Sequence, residues 1–205
     1  MLMTMVAGLA AALISNGLWA RMPPPQPGAA QGFAAPGHPS APEASAPSAV
    51  APLAPSVPER VRIPALRVNA PLMPLSLQED GSLAAPPDND PNLAGWYKGG
   101  TSPGSTGTAV VAGHVDNRKG PAVFYGLGSL KKGNTVRIDR TGGATAVFTI
   151  DAVEVYSARA FPNKKVYGAA TRPELRLITC GGGFDKKHQR YLGNVVVYAH
   201  LTGTK

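Results

Sequence analysis

Residues 174–183 read Glu174-Leu175-Arg176-Leu177-Ile178-Thr179-Cys180-Gly181-Gly182-Gly183. Side chains in a strand alternate between two faces, so Cys180 shares a face with Arg176 and Ile178, while Leu175, Leu177 and Thr179 lie opposite. Apolar and β-branched residues up to the thiol predict a strand, and the three glycines predict its end. Similar short runs recur on either side: VRIPALRV (61–68), TGTAVVAGH (106–114), NTVRIDR (134–140), ATAVFTIDAVEVYS (144–157) and NVVVYAHL (194–201). Each is bounded by Gly, Pro or Asn. Helical periodicity is nearly absent, and only PAVFYGLGSL (121–130) suggests one or two turns. Many short strands separated by turn signals predict an all-β barrel or sandwich.

These strands occupy residues 59–205, long enough for one compact core. The preceding chain differs in kind. Residues 22–58 hold 11 prolines and a single charged residue, Glu43, and predict a semi-extended Pro/Ala-rich flexible tether. His38 lies within it. Residues 1–21 carry no charge before Arg21 and match a bilayer core in length, with Trp19 and Arg21 at the interfacial end. They predict an N-terminal membrane anchor, or a cleaved signal segment, and hence an extracellular position at the cell membrane.

Composition excludes several function classes. With 24 Gly and 21 Pro among 205 residues, the chain is no helical bundle or coiled coil. One cysteine excludes an intrachain disulfide framework and multi-cysteine zinc sites. The net charge of +8 lacks the aromatic-interleaved basic patch or helix-turn-helix pattern of a nucleic-acid binder, so no nucleic acid is expected as partner. Anionic wall polymers explain the charge more simply. The segment 157–173 holds no carboxylate, and no metal or cofactor is expected.

A lone cysteine at a strand end is a candidate nucleophile, and it needs a base. Three histidines compete: His114 at the end of TGTAVVAGH, His188 in a lysine-rich loop, and His200 near the C-terminus. The strand-end position after Gly113 favours His114. Asp116 follows two residues later, where a loop carboxylate is more commonly solvated than paired. Acyl transfer also builds negative charge on a carbonyl oxygen, for which an arginine is a suitable donor. Arg190 lies ten residues after Cys180, within reach of a loop joining adjacent strands, and Arg176 is its competitor.

Gly113-His114, Leu177-Ile178-Thr179-Cys180 and Arg190 resemble, in that order, the His–Cys–Arg signature of the bacterial sortases. Gly95-Trp96-Tyr97, Ser102-Pro103-Gly104, Gly120–Tyr125 and Asn194–Ala199 match as well. The pattern is most similar to class E/F sortases of high-GC Gram-positive bacteria and spans residues 60–202. The resemblance implies a closed β-barrel of roughly eight strands with short helical connections. It implies a cysteine transpeptidase, formally of the hydrolase class, cleaving an LPxTG-like sorting signal of secreted proteins at the Thr–Gly bond. The acyl group would pass through a Cys180 thioester to an amine acceptor from a cell-wall precursor. His114 would serve as acid and base, Arg190 would bind the oxyanion or the peptide, and Thr179 would shape the substrate pocket. Two rivals stand beside it: an L,D-transpeptidase, whose Ser-His-Gly-Cys element is not matched at Thr179-Cys180-Gly181, and a non-catalytic tethered surface module with an inert Cys180.

Overall fold

The structure, a computed structural model, describes residues 22–33 and 50–205. Eight strands close into a barrel: β1 (Pro58–Ile63), β2 (Val68–Leu75), β3 (Ala94–Tyr97), β4 (Gly107–Gly113), β9 (Pro173–Asp185), β10 (Arg190–Thr204), β8 (Thr145–Ser157) and β7 (Thr135–Arg140), which returns to β1. β2–β3 and β4–β9 pair parallel, and the other pairs are antiparallel. The short strands β5 (Asp116–Asn117) and β6 (Gly120–Pro121) form a separate hairpin just after β4. The all-β closed barrel expected from the sequence is the observed fold.

Period-two alternation builds two apolar layers. Inward residues such as Val61, Val111, Phe124, Ile138, Phe148 and Leu177 fill the interior, each essentially inaccessible to water. A second cluster lies outside the barrel wall, where Val110, Ile178, Val196 and Tyr198 pack beneath Val166. Val166 belongs to the only α-helix among the described residues, α1 (Asn163–Tyr167). Five residues form too short a helix to persist alone. Burial of Val166, worth about 1.5–3 kcal/mol, holds it against the sheet.

Two sequence expectations are corrected here. The run 61–68 is two strands: Pro64 opens a single 3-10 turn and Arg67 takes a left-handed conformation, which reverses the chain. The triple glycine does not end its strand. β9 runs on to Asp185, because Gly182 and Gly183 take positive φ (72° and 95°) and allow an irregularity in the pairing with β10. The expected short helical element in 121–130 is present as a single 3-10 turn at Leu127–Ser129.

Part of the tether is also attached rather than free. Residues 22–33 lie on the barrel: the Tyr125 hydroxyl donates to Met22 O (2.5 Å), Lys132 N–H to Gln31 Oε1 (2.9 Å) and Phe33 N–H to Glu154 Oε1 (2.8 Å). Phe33 meets the edge of Tyr198 at 5.0 Å between ring centroids, with the Lys165 ammonium 4.8 Å from its own ring. The apolar stretch 1–21 and His38 lie outside the described residues. Among those described, no helix is long and apolar enough to cross a membrane.

Candidate active site

The parallel register of β4 and β9 positions the central pair. Its last rung joins Ala112 to Ile178, and continuing it by two residues sets His114 level with Cys180. A side-chain bond fixes this alignment beyond the ladder: Thr179 Oγ1–H donates to Gly113 O at 2.8 Å. Thr179 is 4% exposed, on the face away from Cys180 as the alternation required. It ties together the two strand ends that carry the reactive groups.

The orientation of His114 follows from its partners. Nε2 lies 2.6 Å from Pro86 O and 3.1 Å from Asp88 Oδ1. A carbonyl oxygen only accepts, so Nε2 carries the hydrogen, and the neutral ring keeps its lone pair on Nδ1. Nδ1 is therefore the nitrogen that can exchange a proton with the reaction.

Cys180 is a free thiol open to solvent. Burial against the surrounding protein pushes its pKa up, and the negative charge of Asp116 adds to the effect. Asp116 accepts from the Tyr191 hydroxyl at 2.5 Å. The phenols of Tyr191 and Tyr125 are both pushed up, first by burial and then by Asp116. A carboxylate, two phenols and the thiol thus share one electrostatic neighbourhood, and Asp116 orients Tyr191 instead of His114.

The antiparallel register of β10 places Asn194 directly opposite Cys180, with Val196 opposite Ile178 and Tyr198 opposite Arg176. His114, Cys180 and Asn194 form one row across three neighbouring strands. Arg190 pairs with Asp185, five residues further along β9. At about 3.3 Å per residue that is roughly 17 Å of strand from Cys180. His188 Nδ1 lies 2.6 Å from Asp185 Oδ2; this hydrogen bond is the main cause that holds the Asp185 carboxyl low, and the charge of Arg190 contributes least. His200 Nδ1 lies 2.7 Å from Asp151 Oδ1, on the rung that pairs it with Glu174. By register, His114 is the domain histidine level with Cys180, while Arg190 and His188 lie further along the β9–β10 hairpin and His200 lies at the other end of β10.

Two further features border the row. Gly182 N–H, two residues past the thiol, donates to Gln26 Oε1 of the N-terminal segment at 3.3 Å. A cleft of about 740 Å³ lies over the outer face of β4, lined by Leu77, Leu83, Tyr97, Val110, Tyr167 and Ala170 among others. Val110 stands four residues before His114 on the same alternating face. Among the described residues, no group of three or more His, Cys, Asp or Glu side chains is arranged to hold a metal.

A family model of the sortase domain matches residues 61–202, which is most of the chain. The chain belongs to the sortase family. Sortases are cysteine transpeptidases that act on sorting-signal substrates and cell-wall amine acceptors. Solved structures similar to it include a lid mutant of sortase A from Corynebacterium diphtheriae (20% identity over 72% of this chain and 70% of that one, TM-score 0.54). Sortase A from Listeria monocytogenes (17%, 73% and 89%, TM-score 0.53) and sortase C-1 from Actinomyces oris (19%, 70% and 73%, TM-score 0.54) are also similar. At these identities the likeness establishes the shared barrel alone. No curated protein sequence matches the chain.

From sequence, Asn194 stands out only as the first residue of the matching stretch 194–199, and neither Tyr191 nor Pro86 is singled out; each joins the site through register or loop placement.

Proposed function

We propose that this sortase, of class E/F type, cleaves an LPxTG-like sorting signal at its Thr–Gly bond and transfers the acyl part to an amine of a cell-wall precursor. The observation that carries this reading is the alignment of His114 with Cys180 beside an apolar cleft on the same strand face. A peptide with an apolar residue in the cleft and its scissile carbonyl at the thiol runs along β4 for about four residues, roughly 13 Å of extended chain.

The Cys180 thiolate attacks the threonine carbonyl carbon. A C–S bond forms, and the carbonyl electron pair moves to oxygen. Collapse re-forms the carbonyl and breaks the C–N bond, and the departing glycine amine takes a proton from His114 Nδ1. An acceptor amine then gives a proton back to Nδ1 and attacks the thioester, which yields the amide and restores the thiol. With ordinary Cys and His values, the thiolate–imidazolium pair is about 1% of the enzyme. Burial, and secondarily the Asp116 charge, raise the thiol and so disfavour its thiolate. Residues 1–21 serve as anchor in this reading, and they place the barrel on the extracellular face of the membrane.

Cleavage of an LPxTG-like peptide by the wild-type chain, lost in both Cys180→Ala and His114→Ala while the thermal melt is retained, is the expected result. Cleavage retained in Cys180→Ala would exclude this mechanism.

A further inference from the structure

Two candidate donors for the oxyanion are distant or engaged. Arg190 sits roughly 17 Å of strand away beside Asp185, and the Gly182 N–H is already bonded to Gln26. We propose that the side-chain amide of Asn194 is the donor that binds the carbonyl oxygen as Cys180 attacks. The inference rests on Cys180 being the nucleophile, as in the reading above.

Three observations carry it. First, Asn194 is the cross-strand partner of Cys180. Directly opposed residues point to the same face with Cβ atoms about 4.5–5.5 Å apart, so an oxygen on a carbon bonded to Sγ falls within one side-chain length of the amide. Second, Asn194 is disfavoured where it stands. It occupies a central strand whose next outward residues are Val196 and Tyr198, positions that favour β-branched and aromatic side chains. Third, its structural bonding does not explain its presence. Its one side-chain hydrogen bond among the described residues is Nδ2–H to Thr179 O at 3.4 Å, near the limit for such a contact. The second Nδ2–H makes no hydrogen bond among those residues, so the amide retains a donor for substrate.

Local backbone holds the amide in place. A Cβ added at Gly193 would lie 2.1 Å from Tyr156 O, so β10 approaches β8 closely just before Asn194. This fixes the strand position from which the side chain departs. In the attack, the Cys180 sulfur bonds to the acyl carbon and the displaced pair rests on oxygen, where Nδ2–H donates to it. The bond is released when the pair returns and the leaving group departs. A neutral amide suits this task because it strengthens as charge develops and binds the ground-state carbonyl weakly.

The test compares two reactions of the same thiol in the full chain. Iodoacetamide alkylation needs the thiolate and builds no oxyanion; acetylation by p-nitrophenyl acetate builds one and requires no sorting peptide. Both are followed by intact mass at Cys180, with peptide acylation as a third arm. Asn194→Ala and the uncharged, near-isosteric Asn194→Leu are expected to lower both acylation rates about 10²–10³-fold while alkylation stays within about twofold of wild type. The proposal is overturned if acylation stays within about threefold of wild type in both variants, or if alkylation falls in parallel with it. It is also overturned if the selective loss appears in Arg190→Ala instead. Acetylation by the ester without acylation by any sorting peptide would count against the sorting reading alone, because the Asn194 comparison remains complete.

Discussion

The Thr179 hydroxyl donates to Gly113 O across 2.8 Å, one residue before both Cys180 and His114. It is a part-buried bond between the ends of two parallel strands, beyond their last backbone rung. Loss of the donor leaves a carbonyl without that partner and frees the two strand ends to separate. Thr179→Val is expected to cost about 1–2 kcal/mol, a drop of about 2–6 °C in Tm for a domain of this size. Peptide cleavage falls further than that stability change explains, because the relation of base to nucleophile is set there. Thermal melts and cleavage rates of the same preparation check it, and unchanged cleavage would contradict it.

Asp116 makes a pH prediction. Its charge opposes thiolate formation at Cys180, secondary to burial. Removing the charge favours the thiolate, so the thiol pKa falls and reactivity appears at lower pH. Asp116→Asn keeps an acceptor for the Tyr191 hydroxyl. The pH profile of Cys180 alkylation should move to lower pH, with severalfold faster reaction near neutrality. A profile that stays put, or moves to higher pH, would show that Asp116 does not act on the thiol.

The N-terminal segment lies over the same face. Met22 receives the Tyr125 hydroxyl, Gln26 receives Gly182 N–H, and Phe33 packs on Tyr198. Deletion of residues 1–33 is expected to raise the alkylation rate of Cys180 severalfold, with a smaller rise in Gln26→Ala. Equal rates in the full-length and shortened chains would show that the segment does not shield the thiol.

Gly193 is a packing prediction. Any side chain there meets the Tyr156 carbonyl at 2.1 Å, and the atoms it meets are β8 backbone, which cannot rotate away as a side chain would. Gly193→Ala is expected to lose about 3 kcal/mol or more, read as a large drop in Tm. A melt within a degree of wild type would mean that β8 and β10 can separate at this point.

Much of this fold could be read directly from residue order. Alternation and β-branching marked β4, β7 and β8 almost to their ends, because each is bounded by turn residues. Residues 61–68 read as one strand because the reversal is made by a 3-10 turn and a left-handed arginine, without Asn or Gly. The triple glycine read as an end, yet positive φ at two of its members lets the pairing continue. His114 and Cys180 were legible as strand-end residues. Asn194, Tyr191 and Arg190 were separable only by cross-strand register, which depends on an irregularity between Tyr191 and Gly193 that no local pattern encodes. The attachment of residues 22–33 was hidden for a related reason: a Pro/Ala segment has no core of its own, and the contacts that anchor it are made to the barrel.

The most direct test of the central claim is the intact mass of the chain after incubation with an LPxTG-like peptide, with and without a small amine. The expected result is an acyl adduct that maps to Cys180, carries the peptide through its threonine, and is converted to the amide when amine is added. A chain that is folded and alkylates at Cys180, yet forms no adduct across a panel of sorting motifs, would contradict it.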